Sequence, residues 1–368
     1  DHHEIQDVLP EAFAIINPKR ALNKYPFDML CGSGVAFKLV QAILKKKSFG
    51  LKEGWEKWLL DMVGLATCAD MVPLTGENRI FAYYGLKVLR KSPRAGLLSL
   101  FQKLKVNQKH LTEDDIGFTI GPRINAASRM GVPMEAFRLL STMDEVEADQ
   151  VSSYLNRIND ERKGIVGSMV KEMKKKLEVR SAENSVGKVI VMGNPEWRPA
   201  LLGLAANSLM EDHACPVFLW GRDGETALKG SCRSNGDVSV LELMRTTRPG
   251  VLLDYGGHKL AGGFTVSSEK IHFLESELLN AYEKLELSET EPEETLIDAK
   301  LSLDDVNWQT WAMLEKLAPF GIGNPKPLFL FENSEIQNVK KFGKEENHLQ
   351  IDFIKDDLSA YNQDDVAN

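Results

Sequence analysis

DEVEADQVSSYLNRINDERKGIVGSMVKEMKKKLEV, residues 144–179, decides how the rest of this 368-residue chain is read. Val151, Leu155, Ile158, Ile165, Met169, Met173 and Leu177 recur at mostly three- and four-residue spacing, and charged residues fill the opposite face. That period places the apolar side chains on one stripe of a helix. A helix of some 33 residues rises about 50 Å, the scale of a connector between two domains.

The pattern differs on the two sides of this stretch. Upstream, the chain reads as mostly helical after one short strand at Ala12–Ile16, which ends at Asn17-Pro18. Helical spacing covers Gly34–Lys45, Leu51–Thr67 and Glu77–Arg90, a break falls at Lys91–Arg94, and short helices flank Gly121-Pro122. Downstream, short apolar runs alternate with helical ones. Strands are predicted at Lys188–Met192, Pro216–Trp220, Ala227–Cys232 and Phe264–Val266, with helices at Leu201–Asp212 and Ile271–Leu285. This is an α/β arrangement. After an acidic stretch, residues from Leu296 onward carry short β-like runs and the turn signals Gly321, Gly323, Asn324-Pro325 and Pro327. A small β-rich module fits them, and the last dozen polar residues read as frayed.

The length implies two or three domains, and 43% apolar with 27% charged residues is ordinary for a soluble globular chain. Apolar runs are far short of the roughly 20 residues a membrane helix needs. No signal peptide pattern opens the chain, and its first residue is Asp rather than Met, so it reads as a fragment or a processed product. The net charge of −8 argues against a nonspecific nucleic-acid coat. Glu283–Glu294 alone holds six Glu and one Lys. The basic clusters Lys45–Lys47 and Lys174–Lys176 read as solvated helix ends. Cys31, Cys68, Cys215 and Cys232 form no CxxC, which speaks against a zinc finger and for buried thiols in a reducing cytoplasm.

Five segments can carry chemistry. Asp1-His2-His3 offers carboxylate and imidazole, the usual ligands of Mn²⁺, Fe²⁺ or Zn²⁺. Asp70 follows an apolar helix and is either a ligand or a helix-end carboxylate. In Gly121–Arg129, Arg123, Asn125 and Arg129 can hold phosphate oxygens or form internal salt bridges. KGSCRS at 229–234 contributes Ser231 and Arg233. GGHKLAGGF at 256–264 contributes Gly256, Gly257 and His258, where paired glycines admit an anion close to backbone N–H groups or simply make a turn.

Taken together and in order, DHH (1–3), CGSGVAFKL (31–39), ADMVPLTGENR (69–79), GPRINAASRMG (121–131), KGSCRS, GGHKLAGGF and LAPFGIGNPKPLF (317–329) resemble the RecJ family within the DHH phosphoesterase superfamily. The series covers nearly 90% of the chain. The resemblance implies the C-terminal part of a DHH domain at 1–143, a connecting helix at 144–179 and an α/β DHH-associated domain at 180–285. An acidic linker at 286–296 and an OB-like module at 297–368 complete it. It implies a metal-dependent 5′→3′ exonuclease acting on single-stranded DNA in the cytoplasm, in DNA repair and recombination. Two divalent ions, Mn²⁺ or Mg²⁺, would serve it. Asp1, His2, His3 and Asp70 would be the catalytic metal ligands, Arg123 and Arg129 would neutralise phosphate charge, and Asn125 would bind the substrate. Ser231 and Arg233 would hold the 5′ phosphate, and Gly256, Gly257 and His258 would grip the strand. Phe320, Phe329, Phe331 and Phe342 are candidates for base stacking or for core packing.

The partners implied are single-stranded DNA, a single-strand-binding protein and a helicase, with the enzyme a monomer away from the membrane. Two departures stand out. The family's upstream carboxylate motifs would precede residue 1, so a chain starting there is expected to lack full activity. Arg198 and Ala200 occupy loop positions where the family usually has His and Gly. The rival readings are a phosphodiesterase of short oligonucleotides or cyclic dinucleotides, and an inactive single-strand-binding scaffold.

Overall fold

In the computed structural model the long helix runs over Glu145–Ala182, 38 residues. The structure describes residues 1–3, 5, 9–20, 25–182, 187–224, 227–285, 295–343, 346 and 348–354. The acidic stretch at 286–294 and the chain end from 355 lie outside the described residues. Two compact units form, and they do not follow chain order. The first combines residues 1–92, 108–117 and 294–368; the second combines 93–107 and 118–293. The connecting helix therefore belongs wholly to the second unit.

The first unit begins with irregular backbone. Ala12–Ile16 is not a strand, contrary to its apolar pattern, and Phe13 is fully exposed. A strand needs a neighbour for its ladder bonds. Here the Ile15 carbonyl instead accepts from the Arg20 guanidinium at 3.1 Å. Helices follow at α1 Gly32–Lys46, α2 Leu60–Ala69 and α3 Gly76–Leu89. The helix expected from Leu51 starts only at Trp55, as a 3₁₀ turn, because Gly54 before it has φ +80°. α2 and α3 cross at Gly64 and Gly85, where a Cβ on Gly64 would lie 2.6 Å from the Gly85 Cα. The core is Leu30, Val35, Phe37, Val63 and Phe81, with the Phe37 and Phe81 rings edge to face at 5.6 Å.

The second unit opens with α4 Ala95–Leu104, α5 Gly121–Arg129 and α6 Pro133–Ser141, which pack on the N-terminal part of the long helix α7. Gly121-Pro122 starts α5, where proline's missing N–H costs nothing. α7 buries Val151, Leu155, Ile158, Met169, Met173 and Leu177, the stripe expected from the sequence.

Five strands then form one sheet in the order β1-β2-β3-β5-β4: β1 Ile190–Gly193, β2 Val217–Asp223, β3 Ala227–Arg233, β4 Leu252–Gly257 and β5 Ala261–Ser267. β1 and β2 are parallel, and the other pairs are antiparallel. Side chains alternate between the two faces. Ile190, Met192, Val217 and Leu219 meet α7 and α8 Pro199–His213. Val189, Val191, Phe218, Leu228, Cys232, Phe264 and Val266 meet α9 Val240–Thr246 and α10 Leu274–Lys284. β4 and α9 escaped the sequence reading: after Leu252, β4 is exposed throughout and carries no apolar alternation.

The C-terminal part, in the first unit, is small and strand-rich. β6 Ala299–Lys300 pairs with β7 Phe329–Leu330, α11 Trp308–Leu314 lies between them in sequence, and β8 Ile336–Phe342 pairs with β9 His348–Phe353.

Candidate phosphodiesterase site

In the first unit, His2 Nε2 lies 3.6 Å from Asp70 Oδ2. Asp70 is brought there as the C-cap residue just after α2, its N–H donating to the Ala66 carbonyl at 2.9 Å. The His2 ring packs over Gly32 at the start of α1; a Cβ on Gly32 would stand 3.5 Å from His2 Cδ2. Burial pushes the His2 imidazole below its ordinary value, and the Asp70 carboxylate only partly counters this. The ring is thus neutral near pH 7, the state in which imidazole binds metal. Imidazole nitrogen beside a half-exposed carboxylate is a donor set suited to Mn²⁺.

Asp1 and His3 are arranged differently. Asp1 Oδ1 accepts from the backbone N–H groups of His2 and His3 at 2.8 and 3.2 Å and lies 2.7 Å from His3 Nδ1. A carboxylate so placed fixes the tautomer and direction of His3. The His2 and His3 rings are 4.4 Å apart. Among the described residues no group of three or more His, Cys, Asp and Glu comes together as a metal cage.

The segment after Asp70 is gripped by the C-terminal motif. Leu74 N–H donates to the Ile322 carbonyl at 2.6 Å. The Arg79 guanidinium donates to the carbonyls of Leu317 and Pro319 at 2.6 and 3.2 Å. Glu113 accepts from the Phe320 N–H at 2.8 Å. Residues 317–323 thus fasten the segment 74–79 that follows Asp70. Phe320 and Phe329 line a cleft of about 440 Å³ with Trp311, Leu314, Pro319 and Pro327. Phe331 is half-buried, whereas Phe342 is exposed with its ring 5.3 Å from His348.

The second unit holds the cationic residues. On α5, Arg123 donates to the Thr119 carbonyl at 2.8 Å and to Asn156 Oδ1 at 3.4 Å. Asn125 is exposed on the same helix. Arg129 reaches the Ala200 carbonyl at the start of α8, 2.9 Å away. Arg198, the departure from the family pattern, is the N-cap residue of α8; its guanidinium lies 4.0 Å from Met130 Sδ.

On β3, Ser231 and Arg233 share the face that meets α8, opposite Leu219 and Val217. Arg233 lies across Gly203 of α8, where a Cβ would approach its Nη2 to 2.7 Å and Ser231 Oγ to 3.4 Å. Burial lowers the pKa of both Arg129 and Arg233, and the charge of Arg129 adds to the effect on Arg233. In register, Ser231 continues to Gly263 and then Gly256. A Cβ on Gly256 would meet nothing within 4 Å, so this row leaves sheet backbone bare on the Ser231 side. Gly257 serves the turn instead: φ is +142° and a Cβ would stand 2.3 Å from the Ala261 carbonyl. His258, exposed at the β4–β5 turn, donates its backbone N–H to that same carbonyl at 2.8 Å.

Two residues of this region were missed from the sequence, Asn159 and Arg162 on α7. Their signal was present. In the stripe Val151, Leu155, Ile158, Ile165, the seven-residue gap between the last two hides position 162, and a charged residue fills it. The thiols are not part of either arrangement; burial raises Cys68 and Cys232 to about 12.

Comparison with known proteins agrees with this anatomy. The RecJ OB domain family matches residues 297–365, and the DHHA1 domain family matches residues 186–284. The single-stranded-DNA-specific exonuclease RecJ of Bacillus subtilis is 32% identical over 352 residues, covering 95% of this chain and 43% of that protein. The Haemophilus influenzae protein of the same name is 32% identical over 365 residues, covering 95% and 63%. The crystal structure of RecJ in complex with Mn²⁺ from Thermus thermophilus superposes with a TM-score of 0.77 at 28% identity, over 98% of this chain and 52% of that one. A crystal structure of exonuclease RecJ bound to manganese matches with a TM-score of 0.60 at 30% identity, over 78% and 69%. The chain spans about half the length of the curated relatives it matches.

Proposed function

Because this chain belongs to the RecJ family of the DHH phosphoesterases, we propose that it is part of a metal-dependent exonuclease that hydrolyses phosphodiester bonds of single-stranded DNA from the 5′ end. The observation that carries the reading is a set of arginines, Arg123, Arg129 and Arg233, none of which has a carboxylate within ion-pair distance among the described residues. Cations left without counter-charges suit a polyanion that supplies the charges itself.

The chain's residues divide the work. His2 and Asp70 would hold metal, with Asp1 setting the direction of His3. Divalent ions in a two-metal site activate water and stabilise a leaving oxygen. Arg123 and Arg129 neutralise phosphate oxygens. Ser231 and Arg233, side by side on β3, receive the terminal 5′ phosphate, and the bare backbone at Gly256 and Gly263 lets the strand approach closely. His258 and Asn125 are exposed polar groups available to the same strand.

The reading includes two Mn²⁺ or Mg²⁺ ions, a role in DNA repair and recombination in the cytoplasm, and a monomer working with a single-strand-binding protein and a helicase. It keeps the module boundaries 1–143, 144–179, 180–285, 286–296 and 297–368. No helix among the described residues is long and apolar enough to cross a membrane.

The test uses the whole gene product that contains this chain. A 5′-phosphorylated single strand, a blunt duplex and a dinucleotide are each incubated with Mn²⁺, beside an Asp70→Ala control. Mononucleotides released from the 5′ end of the single strand, and lost in the control, support the reading. Cleavage of the dinucleotide alone makes it a small-substrate phosphodiesterase. Strand binding without cleavage makes it a scaffold.

A further inference from the structure

The long helix α7 carries a polar patch where its apolar stripe is interrupted. Asn156, Asn159 and Arg162, three residues apart in turn, lie along one side of the helix. Asn156 Oδ1 accepts from Arg123 Nε at 3.4 Å, and Asn159 Oδ1 accepts from Arg162 Nη2 at 2.9 Å. Asn159 is fully buried, yet its Nδ2 has no hydrogen-bond partner, and neither has the buried Nε of Arg162. Two buried donors without acceptors are costly, on the order of 1–3 kcal/mol each.

No carboxylate among the described residues reaches Arg162. The same unit is not short of them: Arg138, Arg180, Arg245 and Arg248 all pair with glutamates. Arg162 is depressed first by burial and then by the charges of Arg129 and Arg123. Arg162 is thus repelled by Arg129 and Arg123, and Arg233 by Arg129, with no carboxylate in reach among the described residues.

We propose that Arg162 is a further phosphate ligand, binding a phosphodiester of the single strand beside Arg123 and Arg129, and that Asn159 is a positioning residue that holds its guanidinium. The long helix is then part of the substrate surface as well as a connector. The anion missing beside Arg162, which is only half-buried, is a phosphate oxygen, while Asn159, fully buried, holds the guanidinium and does not touch the strand. This inference rests on the single-strand reading given above.

The test measures binding of a 5′-phosphorylated oligothymidylate by fluorescence anisotropy across a salt series, together with the melting temperature of each variant. Arg162→Gln should weaken binding about ten-fold and lower the slope of log affinity against log salt by about 0.7, the value of one single-strand phosphate contact. Its melting temperature should hold or rise, because a repelling charge is gone. Arg162→Lys should keep the slope while losing part of the affinity, since an ammonium lacks the planar fork. Asn159→Asp places a carboxylate at the same distance from Arg162, so it should lower the slope as Arg162→Gln does and raise the melting temperature. Lys163→Gln, an exposed neighbour on α7, should leave the slope unchanged.

An Arg162→Gln chain that melts lower with an unchanged salt slope makes Arg162 a structural strut and overturns the proposal. So does an equal loss of slope in Lys163→Gln, which would reduce the effect to a diffuse field. A wild-type chain that does not bind the strand overturns both this inference and the reading it rests on. Wild-type binding with no change in Arg162→Gln overturns this inference alone.

Discussion

The His2–Asp70 corner and the arginine surface are both built from polar side chains, but their charges are of opposite sign and are met in different ways. At the corner an imidazole faces a carboxylate at 3.6 Å, and Asp1 answers His3 at 2.7 Å, so each group already has a counterpart. On the arginine surface Arg123, Arg129, Arg162 and Arg233 face carbonyl and amide oxygens, with no carboxylate in reach among the described residues. Neutral dipoles can orient a guanidinium without discharging it. With His2 neutral near pH 7, the corner keeps the negative charge of its carboxylates and is completed by a cation. The surface is incomplete until an anion arrives.

The largest effect should come from breaking the corner. Asp70→Ala in the whole gene product should lower single-strand hydrolysis by about 10²-fold or more, the scale of several kcal/mol expected of a metal ligand. Binding of the strand itself, measured by anisotropy without metal, should barely change. Equal losses in both would join the two regions into one charge system.

The next effect is on pH. Burial keeps the His2 pKa below the ordinary imidazole value, so the ring is neutral above that point and protonated below it. Metal affinity that depends on His2 is thus fully present at neutral pH. It should fall about ten-fold per pH unit once pH drops through the His2 pKa, which lies below 6.5. Calorimetric titration of Mn²⁺ between pH 5 and 8 reads this directly. A flat profile removes His2 from the ligand set. Strand binding through arginines should stay level across the same range, because guanidinium does not titrate there.

Gly203→Ala sharpens the contrast on the other side. The new methyl would displace the Arg233 guanidinium, the flexible end of a side chain, while alanine suits the helix better by about 0.5–1 kcal/mol. The variant should melt slightly higher and bind the 5′-phosphorylated strand about three-fold more weakly. The preference for a 5′ phosphate over a 5′ hydroxyl should shrink with it. A variant that binds as well as wild type would place the phosphate away from Arg233.

The smallest effect concerns the segment that follows Asp70. Arg79→Ala removes two bonds to the carbonyls of Leu317 and Pro319 and should cost about 1 kcal/mol of stability, seen as faster proteolysis within 317–323. Lys87→Ala, on the same helix but without contact to that segment among the bonds described, serves as the control.

Much of this was legible beforehand because its signals are local. The stripe of α7, the alternation in β1 to β3, and the order of the motifs are all properties of neighbouring residues. Ala12–Ile16 misled for the complementary reason: strand propensity is local, but a strand exists only beside another. β4 was hidden because an exposed edge strand has no apolar alternation to read. Arg162 was hidden because a helix otherwise so regular draws attention to its stripe and away from the one position that breaks it.

The sequence by itself determined the α/β class, the long helix and the identity of most polar residues that matter, since periodicity and residue chemistry are written along the chain. Only the tertiary structure decided which of them meet. It set Asp70 against His2 and left Asp1 to His3. It fastened the segment after Asp70 to residues 317–323, with Arg79 reaching a carbonyl 240 positions away in the chain, and gave the arginines oxygens from dipoles instead of carboxylates. Pairing of this kind depends on distances across the fold and on which groups burial leaves unpartnered, and neither quantity is carried by spacing along the backbone.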